Sequence, residues 1–433
     1  MFYACKQIGG PVISKLARRS RIAVIGAVAV AALGLTACTG QGSSGGADAV
    51  NTIDKGLSGN IEQAVQQAMK QSGSTDAIVG VWSGDKKGEY LQTFGTGKLA
   101  ADAAIRGGQT TQPALCALLL TLNADGTVKL NREVSKDLPR QKGLEGITYE
   151  QLCNGTSGLA DYKTGISDIF ANNPLRPWSD RELLANGLVR SPLPWPGQNV
   201  YISDTDSLVL ARALEEVTGQ SLADLLKSRV YSKASMSSTF FPDPGNLTLP
   251  SGGMTGLTYP AAGGKPVCEA KPAELNKIST SMLSAAGASV TTVSDLKNFY
   301  TAYFSGTFGT KKDQELIAKT QSTQNPERDK DGKPTKEVAA DPNAQQYGFG
   351  VEKMGPLFGR SGSITGAITA AYQDPSTGYT VVVTLNNSSA GAGFARALAF
   401  QIAALSKDAG AGPDVPWSAD DQAKTLAGAA ICQ

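Results

Sequence analysis

Two glutamines, Gln109 and Gln112, lie three residues apart immediately before an apolar segment, 113–122, that is typical of a buried helix. Residues three apart on a helix share a face, so a serine and a lysine at these positions would form a nucleophile and its base. A carboxamide is neither. Pro113 fits only the first helical turn, so we expect the helix to begin late. The two carboxamides can hydrogen-bond each other as a neutral polar plug.

Four segments after these glutamines resemble a known superfamily. They read LLLTLNADG at 118–126, VSKDLP at 134–139, ITYEQL at 147–152 and TSGLADY at 156–162. This series resembles the penicillin-binding-protein and serine β-lactamase superfamily, especially its class C-like D,D-peptidase and esterase branch, over roughly 75–405. The resemblance places the family's Ser-x-x-Lys motif at 109–112, where the chain has glutamine at both functional positions. The alternative is that the motif lies elsewhere.

The family's second motif, Tyr-x-Asn, falls on Ile202-Ser203-Asp204, after Pro-Gly at 196–197. Isoleucine replaces the tyrosine that moves protons, and aspartate replaces asparagine. A slip of one residue would restore a tyrosine, Tyr201, although alternation in an extended segment would point it elsewhere. The resemblance therefore predicts that the second motif is degenerate as well.

The third motif, Lys-Thr-Gly or His-x-Gly on a strand, falls on Arg360-Ser361-Gly362, between YGFGV at 347–351 and ITG at 364–366. A cation is kept here. The planar fork of an arginine suits a carboxylate, so this motif could still bind a ligand.

The resemblance also implies that the backbone N–H groups of Ser363 and Gln109 hold the oxyanion-hole positions, which side-chain loss does not remove. In the alternative, Arg360 pairs with Asp204 and closes an empty groove. The implied ligand-binding set is Gln109, Ser203, Asp204, Arg360, Ser361, Gly362 and Ser363.

Several other chemistries are excluded or disfavoured. The chain has no histidine, which excludes Ser-His-Asp, Cys-His and histidine-metal sites. We expect no metal and no cofactor. Two further Ser-x-x-Lys strings, at 83–86 and 294–297, lie in a predicted turn and in a segment resembling a non-catalytic helix of the family, and we read both as chance.

The N-terminus resembles a bacterial lipoprotein signal. A basic region precedes an apolar run at 22–35, which ends in Leu-Thr-Ala before Cys38. Cys38 would carry the lipid and hold the protein to the bilayer on its extracytoplasmic face; the alternative is an ordinary signal peptide. The first 37 residues contain five basic residues and no acid, which leaves a net charge of −3 for the remainder. That balance does not suggest a nucleic-acid partner.

Four cysteines remain beyond Cys38, and four cysteines allow three pairings. Export would place them in an oxidising compartment. The positions of Cys116 and Cys153 resemble those of the disulfide that joins two helices in many class A β-lactamases. The resemblance therefore implies Cys116–Cys153 and leaves Cys268–Cys432. The alternative is four buried free thiols.

Strand patterns at both ends, with helical patterns between them, predict an α+β fold. We expect an antiparallel sheet flanked by terminal helices, plus an all-helical lobe. The predicted parts are a signal peptide at 1–37, a lipidated tether at 38–59, a domain at 60–405 and a C-terminal tail at 406–433. Within the domain, the sheet lobe is 60–105 with 340–405, and the helical lobe is 106–339.

The sequence favours a pseudoenzyme that binds a cell-wall peptide or another carboxylate ligand, or that docks an envelope protein. If the groove is used, Arg360→Ala should abolish ligand binding. The rival hypothesis is a hydrolase with Thr110, Ser203 or Ser361 as nucleophile, although no neighbouring lysine or histidine is evident to activate them. A third hypothesis is a pure interaction protein, whose contacts come from the loops of 230–285 and the polar insertion 308–345, which we expect to be mobile.

Overall fold

The computed structural model describes residues 48–86, 88–95, 99–190, 195–336, 338, 341 and 344–433. The predicted signal segment 1–37 and the lipidated Cys38 lie outside the described residues. Gly46–Gln433 form one compact unit. Among the described residues, no helix is both long and apolar enough to cross a membrane.

The strands follow the predicted pattern at both ends of the chain, with several short strands between. They are β1 Val50–Asn51, β2 Ala77–Trp82, β3 Glu89–Phe94, β4 Ile105–Arg106, β5 Gly256–Thr258, β6 Ala261–Ala262, β7 Lys265–Pro266, β8 Ala273–Leu275, β9 Val290–Thr291, β10 Gln321–Ser322, β11 Gln346–Tyr347, β12 Glu352–Met354, β13 Leu357–Ile364, β14 Ala367–Gln373 and β15 Thr380–Leu385.

The helices lie at the two ends and in the middle of the chain. They are α1 Lys55–Ser72, α2 Pro113–Ala124, α3 Tyr149–Asn154, α4 Ser167–Asn172, α5 Asp180–Leu188, α6 Asp204–Thr218, α7 Leu222–Leu226, α8 Val293–Phe304, α9 Lys311–Ala318, α10 Ala392–Asp408 and α11 Ala419–Gly428.

One nine-stranded sheet runs in the order β1-β3-β2-β15-β14-β13-β12-β11-β10, and neighbouring strands in it are antiparallel. The two ends of the chain meet in this sheet, because β15 pairs with β2 and places Val381 opposite Val81. The predicted α+β fold with a mainly antiparallel sheet is therefore confirmed.

The sheet separates two hydrophobic cores, because successive side chains of a strand point to opposite faces. Val79 and Val81 of β2 pack with α1 and α10 in one core. Ile78 and Trp82 of the same strand belong to the other core, which fills the helical lobe around α2. The helical lobe is thereby held against the sheet, and a groove forms where the two meet.

Three segments are more structured than the sequence suggested. The predicted tether 38–59 already contains β1 and the start of α1. The C-terminal tail carries α11, and the Trp417 ring stacks on Phe400 of α10 at 4.6 Å between centroids. The polar insertion contains α9 and the edge strand β10, which pairs with β11. Each segment has a partner surface in the fold, which the sequence pattern alone did not reveal.

The structure contains both disulfides implied by the resemblance. Cys116–Cys153 joins α2 to α3 across 37 residues of sequence. Cys268–Cys432 joins the segment after β7 to the C-terminus. The backbone N–H of Ile431 also donates to the carbonyl of Gln71 at 2.9 Å, so the end of the chain is held on α1 as well.

Candidate functional site

Gln109 lies in a 3₁₀ turn, Gly108–Thr111, and Gln112 follows directly as the residue that links this turn to α2. The α-helix itself begins at Pro113, which confirms the late start expected from proline. The backbone N–H of Gln112 donates to the carbonyl of Gln109 at 3.0 Å, so the two side chains stay on one side of the turn. Both side chains are buried.

The glutamines do not form the mutual plug that the sequence suggested. Instead, Gln109 Nε2 donates to Asp204 Oδ2 at 2.8 Å, and Gln112 Nε2 donates to Asp204 Oδ1 at 3.1 Å. Gln112 Nε2 also donates to Ser207 Oγ at 2.7 Å. The charged acceptor draws both carboxamides, because hydrogen bonds to an ionised group are stronger than those between neutral groups. Asp204 is therefore the centre of the polar network.

The other end of the Gln109 carboxamide bonds to one of the two backbone N–H groups that the resemblance assigns to an oxyanion hole. Gln109 Oε1 accepts a hydrogen bond from the Ser363 backbone N–H at 2.8 Å. Gly362 permits this close approach, because a Cβ atom there would lie only 2.3 Å from the Gln109 backbone nitrogen. A side-chain carbonyl of the protein thus stands at a donor where the family would place a substrate oxygen.

Arg360 is engaged by the protein on both terminal nitrogens. Its Nη1 donates to Glu352 Oε1 at 2.9 Å, and its Nη2 donates to Gln112 Oε1 at 2.8 Å. The side chain is only 4% exposed. The ion-pair partner is therefore Glu352, and not Asp204 as in the alternative interpretation. The Arg360 Nε has no hydrogen-bond partner in the part of the chain that the structure describes.

Lys163 is a site residue that the sequence reasoning missed. Its Nζ lies 2.6 Å from Asp204 Oδ2 and 3.7 Å from Asp161 Oδ2. Its side chain is 30% exposed, so the ammonium reaches both the buried network and the groove. The sequence feature that could have pointed to Lys163 is its position directly after the family-like segment 156–162. Lys163 therefore belongs to the polar network around Asp204, and it lines the same groove as Ser361.

Burial and the lysine act against each other on the carboxylates. Burial raises the pKa of Asp204, but the Lys163 ammonium and the hydrogen bonds to the carboxylate outweigh it and leave the pKa below its ordinary value. For Lys163, burial lowers the pKa, but the Asp204 and Asp161 carboxylates raise it above the ordinary value. Burial, together with the Asp204 charge, raises the pKa of Asp161. Asp204 and Lys163 thus hold each other in the charged form.

The second motif lies in the predicted register. Ile202 and Asp204 both line the groove, whereas Tyr201 is not among its lining residues, so the one-residue slip is not supported. Ser203 caps α6: its Oγ accepts a hydrogen bond from the Thr205 backbone N–H at 3.2 Å. Ser203 does not line the groove, which removes it from the ligand-facing set.

The three candidate nucleophiles differ in access. Thr110 is fully buried, and its Oγ1 donates to the carbonyl of Gly107 at 2.6 Å. Ser203 has the capping role just described. Ser361 does line the groove, as does Ser363. Of the three, only Ser361 could meet a ligand.

The groove itself remains open beside this network, with a volume of about 570 Å³. Its far wall includes the β6–β7 hairpin, which is held on α4 because Asn172 Nδ2 donates to the carbonyl of Ala261 and Asn172 Oδ1 accepts from the Ala261 N–H, both at 2.8 Å. Arg396 of α10 also lines the groove and is 30% exposed. Among the described residues, no group of three or more acidic or cysteine side chains could hold a metal ion.

Comparison with known proteins identifies a family for this chain and solved structures with a similar fold. The family model described as beta-lactamase matches residues 61–405. The D-stereospecific amidohydrolase from Streptomyces sp. superposes with a TM-score of 0.64 at 23% identity, covering 76% of this chain and 94% of that chain. The D-amino acid amidase from Ochrobactrum anthropi SV3, in complex with L-phenylalanine amide, gives a TM-score of 0.61 at 20% identity, covering 77% and 92%.

At these identities the two solved structures show the fold alone. Penicillin-binding protein 4* of Bacillus subtilis (strain 168) is 27% identical over 137 residues, which is 30% of this chain and 28% of that relative. The match therefore spans little more than a quarter of the relative's length. The family model covers most of the chain, and this protein belongs to the beta-lactamase family.

Proposed function

We propose that this protein is a membrane-tethered, extracytoplasmic member of the family that binds a small ligand in the groove and does not hydrolyse it. The observation that carries the proposal is the position of the Gln109 carboxamide. It joins Asp204 Oδ2 to the Ser363 backbone N–H, at 2.8 Å on each side. A side chain that spans these two groups takes up the space in which a nucleophile and a substrate carbonyl would have to meet.

The ligand class follows from the charges that reach the groove. Arg360 keeps both terminal nitrogens bonded internally, so the accessible cations on the groove are Lys163, Arg396 and the exposed Lys265 of the β6–β7 hairpin. Lys163 and Arg396 are each 30% exposed, and Arg396 Nη1 lies 3.4 Å from Glu352 Oε2. Accessible carboxylates, Asp161 and Asp168, lie on the same cavity. Such a mixed lining suits a peptide terminus, which carries a carboxylate and amides or an amine close together. This favours a cell-wall peptide or a similar carboxylate ligand over a purely apolar one.

The structural relatives are consistent with a ligand of this kind. One structure of the Ochrobactrum amidase is a complex with L-phenylalanine amide, a small amino-acid derivative. For this chain we propose a ligand of comparable size, held without bond cleavage. If no small ligand binds, the alternative function is docking of an envelope protein, which would not use the groove.

The first test is covalent labelling. The protein without residues 1–38 is incubated with a penicillin and with a fluorophosphonate, and the intact mass is recorded beside a labelled active relative. We expect no adduct. A stoichiometric adduct would overturn the non-catalytic proposal. An adduct mapped to Ser361 would support the rival hydrolase, for which the specific observation is that Lys163 and Ser361 line the same groove.

The second test is ligand binding. Acetylated dipeptides ending in D-alanyl-D-alanine are titrated by calorimetry, with the C-terminal amide as the matched control ligand. Arg396→Ala should weaken binding of the free acid about tenfold and leave the amide little changed, because a charge-assisted hydrogen bond contributes about 1.5–3 kcal/mol. Equal affinities of acid and amide would contradict carboxylate recognition.

A further inference from the structure

A second cavity, of about 690 Å³, lies in the same compact unit and shares no lining residue with the groove. Its walls come from four segments, within 143–147, 157–159, 195–199 and 326–332. The last of these belongs to the polar insertion, which has no part in the groove network. The volume falls within the range of about 300–1,000 Å³ that small-molecule sites occupy.

The insertion side of this cavity is fixed in place by one arginine. Arg328 Nε and Nη2 donate to Asn199 Oδ1 at 2.9 Å and 2.7 Å, and Arg328 Nη1 donates to the carbonyl of Gly332 at 2.8 Å. Asn325 adds a reciprocal pair of hydrogen bonds with the backbone of Val200, both at 3.0 Å. The cavity is thus a built feature of the fold, and its walls are held by a bidentate arginine contact.

One wall presents an aromatic ring to solvent. Trp195 is 74% exposed, and Pro196 beside it also lines the cavity. Ile147 and Leu159 form a buried apolar floor. A tryptophan offers a large flat apolar face at little cost in conformational entropy, which suits it to stacking on a ring-shaped ligand.

The polar part of the lining is rich in hydrogen-bonding groups but carries no net charge. Glu145 and Asp329 are balanced by Arg328 and Lys330. The Gln198 amide adds a group that can donate and accept together, as hydroxyl ligands require, whereas the Asn199 oxygen already accepts from Arg328. A charged ligand would be attracted by the two side chains of opposite charge and repelled by the two of like charge. A neutral, hydroxyl-rich ligand can hydrogen-bond to all four.

We propose that this cavity is a binding site for a neutral carbohydrate, with one sugar ring stacked on Trp195 and its hydroxyls bonded to the amide and charged side chains of the rim. The ring stacking and the neutral polar rim together select this class over a charged peptide. The site is independent of the groove, so it would hold a glycan whether or not the groove binds a ligand.

The test uses the protein without residues 1–38, which retains the whole compact unit. Chitotetraose and maltotetraose, two neutral oligosaccharides, are titrated by calorimetry and by tryptophan fluorescence. We expect millimolar or tighter binding of at least one, weakened about tenfold or more in Trp195→Ala, because truncating an aromatic anchor commonly costs at least 1.4 kcal/mol. Trp195→Phe should keep part of the affinity.

The matched control is Leu175→Ala, since Leu175 is 52% exposed but does not line this cavity. It should bind as the parent protein does. The proposal is overturned if neither oligosaccharide binds, if binding is unchanged in Trp195→Ala, or if only a charged peptide binds. A Gln109 variant should leave carbohydrate binding unaltered, which separates this site from the groove.

Discussion

Lys163 and Gln109 contact the same oxygen atom, Asp204 Oδ2, with Nζ at 2.6 Å and Nε2 at 2.8 Å. The family has a lysine amino group at position 112, and that group is absent here. The Lys163 amino group, however, contacts the same Asp204 oxygen as the Gln109 side chain. Under the proposed function, the site lacks the family's nucleophile but keeps one amino group that could act as a base. We therefore expect the Gln109 side chain to be what separates the present arrangement from a reactive one.

Replacing Gln109 by serine should create a site that penicillin can acylate. The substitution removes the carboxamide from the Ser363 N–H and places a hydroxyl near Lys163. We expect one penicillin per protein by intact mass, mapped to residue 109. Because the pKa of Lys163 is raised, labelling should be slow at neutral pH and accelerate as the pH rises.

The controls for this prediction change one group at a time. Gln112→Ser keeps Gln109 in place and should remain unlabelled. Adding Lys163→Met to Gln109→Ser should slow acylation by about 10²–10⁴-fold, the usual contribution of a general base. Absence of labelling in Gln109→Ser would show that the groove lacks more than its nucleophile.

The sequence was sufficient for the parts of the site that lie in continuous segments. The positions of Gln109 and Gln112, the late start of α2 at Pro113 and the register of Ile202 were all readable from local pattern. Glu352 could also have been found, because β12 and β13 pair antiparallel across a short turn and bring it near Arg360. The strand patterns at the two ends were enough to predict the sheet.

Contacts between segments that are distant in the sequence could not be predicted in the same way. Lys163 reaches Asp204 across 41 positions, and nothing in either segment specifies that distance. The prediction that the two glutamines bond each other was wrong for a related reason. The buried Asp204 carboxylate is a stronger acceptor than a neutral amide, and the location of that carboxylate depends on how α6 packs against α2. Arg328 likewise fixes an insertion that looked mobile, because its partner Asn199 lies on a distant segment.

Asp204→Asn should destabilise the fold appreciably. The Asp204 carboxylate accepts from both glutamines and pairs with Lys163, and it is 2% exposed. Removing its charge leaves the Lys163 ammonium poorly compensated. We expect a loss of about 2–3 kcal/mol in the free energy of unfolding, less than for a fully buried pair because Lys163 is partly exposed.

Urea unfolding at pH 7 measures this loss. Asp161→Asn is the matched control, since Asp161 lies 3.7 Å from the same ammonium and is 25% exposed. Its loss should stay below about 1 kcal/mol. Equal losses in the two variants would mean that the network is not centred on Asp204.

Cys38→Ala should abolish lipid attachment if the N-terminus is a lipoprotein signal. In a bacterial host, the parent protein should incorporate labelled palmitate and fractionate with membranes, whereas the variant should do neither. Cys5→Ala is the control, because Cys5 would leave with the signal peptide and should not affect labelling. Palmitate labelling that persists in Cys38→Ala would contradict the assignment of the lipidated residue.

Asp206→Asn should change how stability depends on pH. Burial raises the pKa of Asp206 well above its ordinary value, although the Ser157 hydroxyl donates to it at 2.5 Å. A carboxyl group whose pKa is higher in the folded state gives stability that is fully present below the unfolded pKa, near 3.9, and is lost as the pH rises through the folded pKa. Between about pH 4 and 8, this group should therefore make the parent protein less stable as the pH increases. The neutral amide of the variant removes that dependence, so the stability of the variant relative to the parent should increase as the pH rises to 8. Urea unfolding at several pH values tests this, and parallel pH profiles for the two proteins would mean that Asp206 is already ionised in the fold.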